Sequence, residues 1–300
     1  MNRDIYVSNI QRFSLDDGDG IRTTVFFKGC NLACRWCHNP ECISCSPVLQ
    51  FQSSRCTLCG KCAAACMQGV HNLADGRHLL DRSRCIACGR CAEACSNEAL
   101  TVIGTRYSTD EIWEIILKDT DFYKASGGGV TFSGGEPMLA LPLLRELLVR
   151  CKEHGLHTAV DTAGNVDFER YQEVFPYTDV FLIDLKLWDE EKHRQYTGVS
   201  NRLIRENIRR ISEEHKTIVI RIPIIGSVND DLGELDKMAE FFKPLAGIRL
   251  VQLLPYHQYG VGKYELVGMR SEQDSFYIPS HDFMEAALQL FQEKGIPASF

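Results

Sequence analysis

The chain has 300 residues, 44% of them hydrophobic and 24% charged, with a formal net charge of -7. These proportions describe a globular chain long enough for one large core or two domains, and they exclude disordered and collagen-like classes. The longest apolar runs, such as residues 180–183, fall far short of the roughly 20 residues that cross a bilayer, and the negative charge argues against a general nucleic-acid binder. The start, Met1-Asn2-Arg3-Asp4, lacks the basic-then-apolar layout of a secretory signal, so a cytoplasmic location is expected. In that compartment thiols stay reduced, and 14 cysteines in a chain of this size point to metal binding rather than to disulfides. Thirteen of them lie between Cys30 and Cys95; Cys151 alone stands outside, as a small core residue of a helix.

The first expected strand covers residues 23–28 and runs directly into Cys30, Cys34 and Cys37, a CxxxCxxC spacing. Three thiols leave one iron of a four-iron cluster open, and an open coordination position is what distinguishes a catalytic metal site from a structural one. The other reading is a cluster closed by a distant ligand, with Cys42 or Cys45 as the nearest thiols; these two are expected to be spare or substituting ligands rather than a disulfide pair. Next come Cys56, Cys59, Cys62 and Cys66, a pattern repeated 29 residues later by Cys85, Cys88, Cys91 and Cys95. This is the run of bacterial ferredoxins, in which three thiolates hold one cluster and the fourth crosses to the other. It pairs Cys56, Cys59 and Cys62 with Cys95, and Cys85, Cys88 and Cys91 with Cys66. Zinc is the competing reading, but zinc sites usually carry two CxxC pairs across a longer loop rather than four thiols within eleven residues.

Beyond the cysteines, β-branched runs alternate with amphipathic segments, the signature of βα units on a parallel sheet. Further strands are expected at 130–133, 158–161, 180–185, 218–222 and 248–254. Helices are expected at 110–118, opened by a Ser108-x-x-Glu111 capping box, and at 141–154, 167–174, 202–214, 231–243 and 282–294. Six βα units are fewer than the eight of a full barrel, so the fold class is α/β, an open partial (β/α)6 barrel. Residues 1–49 begin the barrel, 50–103 form an inserted small ferredoxin-like domain, and 104–300 complete the barrel. Chemistry in such folds sits at the carboxyl ends of the strands. There the sequence places Cys30–Cys37, Gly134-Gly135-Glu136, Asp161, Asp184-Leu185-Lys186, Arg221 and His257.

CxxxCxxC after a first strand with Gly-Gly-Glu after a second resembles the radical S-adenosylmethionine superfamily. Asp17-Gly18-Asp19-Gly20-Ile21-Arg22-Thr23, Trp36-Cys37-His38-Asn39-Pro40, residues 126–136, Asp161-Thr162-Ala163-Gly164, Asp184-Leu185-Lys186 and Leu254-Pro255-Tyr256-His257-Gln258 together resemble the glycyl-radical-enzyme activating enzymes. The resemblance implies that Cys30, Cys34 and Cys37 hold a [4Fe-4S] cluster whose open iron takes the amine and carboxylate of S-adenosylmethionine. It places Trp36 and His38 beside the adenine, and the Gly134-Gly135-Glu136 turn at the methionine amine. Asp161 and Lys186 fall near the methionine, Leu185 in the same cofactor motif, and His257 near the ribose, while Asp184 and Arg221 face a target peptide. Three [4Fe-4S] clusters, a glycyl radical enzyme as protein substrate and a flavodoxin or ferredoxin as electron donor are the expected cofactors and partners, with no nucleic acid and no membrane. A radical S-adenosylmethionine enzyme acting on a small molecule or another protein, and a plain electron carrier, are the competing readings; a carrier has no use for a three-cysteine cluster. Asp19 stands where the family commonly has proline.

Overall fold

The computed structural model describes residues 5–300. Strands β1 (Val7–Ser14) and β2 (Arg22–Phe27) open the chain, followed by the short strands β3 (Val48–Phe51), β4 (His71–Ala74), β5 (Arg77–Leu80) and β6 (Leu100–Ile103). Then come β7 (Gly129–Gly134), β8 (His157–Thr162), β9 (Val180–Asp184), β10 (Ile218–Ile224), β11 (Ile248–Pro255) and β12 (Ala298–Ser299). Eight of these form one sheet in the order β1-β2-β7-β8-β9-β10-β11-β12. Only the β1–β2 pair is antiparallel; every other neighbouring pair in this sheet is parallel. The six expected strands are therefore β2 and β7 to β11, in chain order across the sheet, which is the partial α/β barrel.

Helices Thr109–Leu117, Leu141–Glu153, Phe168–Val174, Arg202–Glu213, Leu232–Phe242 and His281–Glu293 connect and cover the strands. The first begins at the expected capping box, with Ser108 accepting from the Glu111 N–H and the Glu111 carboxylate accepting from Ser108. Their apolar stripes, for example Leu144, Leu147, Leu148 and Cys151, pack with Val130, Phe132 and Val160 in one continuous core. No helix among the described residues is long and apolar enough to cross a membrane.

The floor of the barrel is polar and closed by the Asp17–Thr23 segment. Arg22 is fully buried and donates to Thr131 Oγ1 at 2.6 Å, the Val130 carbonyl at 2.8 Å and the Asp19 carbonyl at 3.0 Å. Burial lowers its pKa to about 10, still far above neutrality, so it keeps its charge. Asp19 reaches Arg249 at the start of β11, at 2.7 Å. This pair joins the segment that leads into β2 to the start of β11.

Residues 48–103 carry two antiparallel pairs, β3 with β6 and β4 with β5, around their own small cluster of Leu49, Cys62, Cys91 and Leu100. Arg82 ties this segment to the helix Val261–Val267, donating to the Leu266 carbonyl at 2.9 Å and to the Leu49 carbonyl at 2.5 Å. The same helix sends Lys263 to Asn39 Oδ1 at 2.8 Å and Glu41 Oε1 at 3.0 Å. One helix thus braces both cysteine regions.

Candidate active site

At the carboxyl ends of the strands lies a cavity of about 950 Å³, at the upper end of small-molecule pockets. Cys30, Cys34, Trp36, Cys37, His38, Gly134, Gly135, Asp161, Asp184, Lys186, Arg221 and His257 all line it. The cysteine loop is held by backbone hydrogen bonds at four points: Gly29 N–H to Cys42 O (2.8 Å), Cys30 N–H to Ile43 O (3.0 Å), Ala33 N–H to Thr197 O (2.8 Å) and Arg35 N–H to Tyr196 O (3.0 Å). A loop fixed in this way needs little reordering to present its thiols.

Burial raises the Cys30 thiol to about 12 and pushes Cys34 and Cys37 upward as well. Buried thiols of this kind become thiolates when a metal replaces the proton. The Leu32 N–H aims at Cys30 Sγ at 3.4 Å, a donor suited to a metal-bound thiolate. All fourteen cysteines are free of disulfides. Three such thiols in one cavity, with a backbone donor on one sulfur, fit an iron–sulfur cluster.

Two ion pairs line the same cavity. Lys186 Nζ lies 2.5 Å from Asp184 Oδ2, and Arg221 Nη1 lies 3.2 Å from Asp161 Oδ2, which also accepts from Ser133 Oγ at 2.7 Å. Burial opposes the Lys186 charge, but Asp184 and the neighbouring thiols hold its pKa above the ordinary lysine value. Burial raises Asp161 against the pull of Arg221. His38 stacks on His257 with centroids 4.0 Å apart, and burial followed by the neighbouring His257 lowers His38 to about 4. Burial lowers His257 as well, and His38 Nε2 and His257 Nδ1 are buried and without a protein partner. Trp36 packs with Leu187, Ile225, Val228, Tyr256 and Phe276. Of the aromatic stretch after β11, Tyr256 and Tyr264 are core residues and Tyr259, 86% exposed, stands at the mouth.

Two expected cofactor residues sit behind the wall rather than in it. Leu185 is fully buried in the main core. Glu136 is fully buried too, its carboxylate accepting from Thr162 Oγ1 at 2.9 Å, Ala163 N–H at 2.8 Å and Met138 N–H at 3.1 Å. It staples the β7 turn to the β8 turn, while Gly134 and Gly135 meet the cavity. Gly134 has φ +110°, and a Cβ there would enter the Phe27 backbone, so glycine is required. Burial outweighs the three donors and lifts Glu136 to about 7 from 4.5. Between those values the folded state holds a proton that the unfolded chain has released, so this group's contribution to stability falls as pH rises from about 4.5 to about 7. Glu136→Gln is expected to flatten that part of the stability–pH profile, by on the order of 3 kcal/mol between its ends; apparent Tm measured from pH 5 to 8 checks it.

Cys42 is buried and donates to Ser8 Oγ at 3.0 Å, while Cys45 is exposed and lies against Gly29. This geometry gives Cys42 a bracing role. Cys42→Ser with Cys45→Ala is expected to leave iron per chain unchanged, measured after anaerobic purification.

In residues 48–103 the thiols collect in two small cavities. One is lined by Cys56, Cys59, Cys62 and Cys95, the other by Cys66, Cys85, Cys88 and Cys91. These are the two sets that the crossing ferredoxin pattern pairs. Backbone N–H groups again reach sulfurs: Val70 to Cys66 (3.5 Å), Ala87 to Cys85 (3.4 Å) and Ala99 to Cys95 (3.3 Å). His78 and His71, one beside each cavity, carry no sequence signal beyond residue type.

A family model described as a 4Fe-4S single cluster domain matches residues 16–205. The trans-4-hydroxy-L-proline dehydratase activating enzyme of Clostridioides difficile is 44% identical over 289 residues, 95% of each chain. The choline trimethylamine-lyase activating enzyme of Oleidesulfovibrio alaskensis is 39% identical, over 89% of this chain and 88% of that one. The chain belongs to the glycyl-radical-enzyme activating enzymes. Among solved structures, a domain of a pyruvate-formate lyase-activating enzyme from Bacteroides vulgatus superposes with TM-score 0.50 at 36% identity, covering 57% of this chain and 98% of that one. A radical SAM methyltransferase from Sphaerobacter thermophilus matches 98% of this chain and 76% of its own at TM-score 0.56 and 14% identity, a likeness of fold alone. As a member of this family the activating enzyme uses a [4Fe-4S] cluster and S-adenosylmethionine.

Proposed function

We propose that this activating enzyme binds S-adenosylmethionine across the 950 Å³ cavity, against a cluster held by Cys30, Cys34 and Cys37, and receives a glycine-bearing loop of a partner glycyl radical enzyme at the open mouth. Cys30, Cys34 and Cys37 would hold the cluster, which would supply one electron for the division of S-adenosylmethionine into methionine and a 5'-deoxyadenosyl radical able to take the hydrogen from the glycine Cα and leave as 5'-deoxyadenosine. The observation that carries this reading is the gathering of three buried thiols and two ion pairs in one cavity at the strand ends.

The chain's residues orient and enclose. The N–H groups of Gly135 and Glu136 bond to Phe27 O (2.8 Å) and Gly29 O (2.7 Å), so the turn meets a ligand with carbonyl oxygens, acceptors for the methionine ammonium. Asp161 and the Lys186 ammonium present one charge of each sign to the ends of a zwitterionic amino acid. The neutral His38–His257 stack and Trp36 border the face assigned to adenine and ribose. Asp184 and Arg221, on neighbouring strands, flank the path of a backbone segment. An open barrel edge admits a loop where a closed barrel would not, and the buried walls protect the radical from competing reactions.

The two thiol sets of residues 50–103 hold two further clusters that pass electrons from a flavodoxin or ferredoxin; iron analysis is then expected to give about twelve irons per chain. Anaerobic incubation with S-adenosylmethionine, reductant and a partner glycyl radical enzyme is expected to give a glycyl doublet in electron paramagnetic resonance. Cleavage with no doublet on any candidate partner would turn the reading toward another substrate.

A further inference from the structure

The hairpin of β4 and β5 places a histidine pair between the two thiol cavities. His71 Nδ1 lies 2.9 Å from His78 Nε2, and His78 Nδ1 lies 3.4 Å from Cys56 Sγ. Both imidazoles are buried to the same degree, at 9% exposure. His78 lines the cavity of Cys56, Cys59, Cys62 and Cys95, and His71 lines the other. His78 also packs edge-on against Phe51, with centroids 4.6 Å apart, and its Nε2 lies 3.9 Å from Cys62 Sγ.

The donor pattern has one consistent solution once Cys56 is a thiolate. A metal-bound thiolate only accepts, so the proton at that contact sits on His78 Nδ1. A neutral imidazole carries one N–H, which leaves His78 Nε2 as an acceptor, and its donor is His71 Nδ1–H. His71 Nε2 is then a bare nitrogen, and it is the buried atom without a protein partner. Both short contacts are then donor to acceptor, and the direction of donation runs from the second cavity toward the first; the longer approach of His78 Nε2 to Cys62 Sγ, 3.9 Å, carries no proton.

We infer that His78, fixed in its Nδ1–H tautomer by His71, donates a hydrogen bond to the Cys56 thiolate and raises the reduction potential of the cluster held by Cys56, Cys59, Cys62 and Cys95. Hydrogen bonds to cluster sulfurs withdraw electron density and stabilise the reduced state. The inference rests on the reading that residues 50–103 hold two clusters. His71 is a positioning residue: it acts through the tautomer of His78, its own ring nitrogen standing within 4.8 Å of Cys62 Sγ but in no hydrogen bond to it.

The test uses the full chain carrying Cys30→Ala, Cys34→Ala and Cys37→Ala, so that the remaining iron belongs to residues 50–103, about eight atoms per chain. In a redox titration followed by electron paramagnetic resonance, adding His78→Leu is expected to lower the reduced-to-oxidised ratio of one cluster at least tenfold at fixed potential, a shift of about 59 mV. The other cluster keeps its midpoint. His78→Asn, whose amide N–H can take the Nδ1 place, is expected to restore the original value. Unchanged midpoints with about eight irons retained, or no recovery with asparagine, would overturn the inference while leaving the two-cluster reading intact. About four irons or none in the parent variant would remove that reading, and this inference with it. Should His78→Leu fail to bind iron, 15N-histidine labelling of the parent variant decides: a reduced cluster with a weakly coupled histidine nitrogen in spin-echo spectra supports the hydrogen bond, and no such coupling refutes it.

Discussion

Cys30→Ala is expected to abolish cleavage of S-adenosylmethionine, by at least about 10³-fold, while iron falls from about twelve to about eight atoms per chain. Two thiols do not hold a cubane, and Cys42, a buried thiol that lines the same cavity, is engaged with Ser8 Oγ at 3.0 Å. The fold should survive, because the loop is anchored through backbone groups at Gly29, Cys30, Ala33 and Arg35, and alanine leaves all four bonds in place. The readouts are iron analysis, 5'-deoxyadenosine formation and an unchanged circular dichroism spectrum. Retained cleavage in this variant would remove the catalytic assignment of the loop.

Arg221→Ala carries the second large effect, and on stability as well as activity. Arg221 and Asp161 are buried together, at 14% and 16% side-chain exposure, and Asp184 adds a second carboxylate to the same wall. Removing the guanidinium leaves Asp161 as a buried charge facing another carboxylate, with Lys186 already paired to Asp184. Loss of one partner from a buried pair costs about 3–5 kcal/mol. Burial already raises the Asp161 pKa, and Arg221 is the main influence lowering it, so the variant's Asp161 rises further. A carboxyl whose folded pKa is raised loses stability as pH increases through that value, so Arg221→Ala should be least defective in acid. Arg221→Ala with Asp161→Asn is expected to recover most of the loss. Apparent Tm across pH for the two single variants and the double variant measures the coupling.

Most of the fold was legible because parallel strands buried on both faces read as continuous apolar runs, as in residues 180–183, and because the helices between them carry caps such as Ser108. The edge strand β1 was not foreseen. Its sequence Val7-Ser8-Asn9-Ile10-Gln11 alternates poorly, and register shifts after Val7 and after Gln11 break the period-two pattern that marks a strand. Helices Thr120–Ser126, Glu190–Thr197 and Val261–Val267 were also unforeseen; the second, Glu-Glu-Lys-His-Arg-Gln-Tyr-Thr, is almost wholly polar and carries no apolar stripe.

At the site, the cysteine sets were readable because ligand spacing is itself the signal, and each set meets in its own cavity. The direction of individual side chains was not. Glu136 sits in a recognisable motif yet turns inward, since Thr162 at the end of β8 and Ala163 just after it offer donors that no local pattern reveals. The His71–His78 contact was equally invisible, because it depends on the register of a hairpin, His71 opposite Leu80 and Leu73 opposite His78, and not on spacing.

As an activating enzyme the protein takes a hydrogen from a glycine Cα of a protein partner. A glycyl radical enzyme labelled with α-deuterated glycine, incubated anaerobically with this protein, reductant and S-adenosylmethionine, tests it most directly. One deuterium is expected in the 5'-deoxyadenosine product, by mass spectrometry, together with loss of the proton splitting in the glycyl signal. Unlabelled 5'-deoxyadenosine and no protein radical would contradict it.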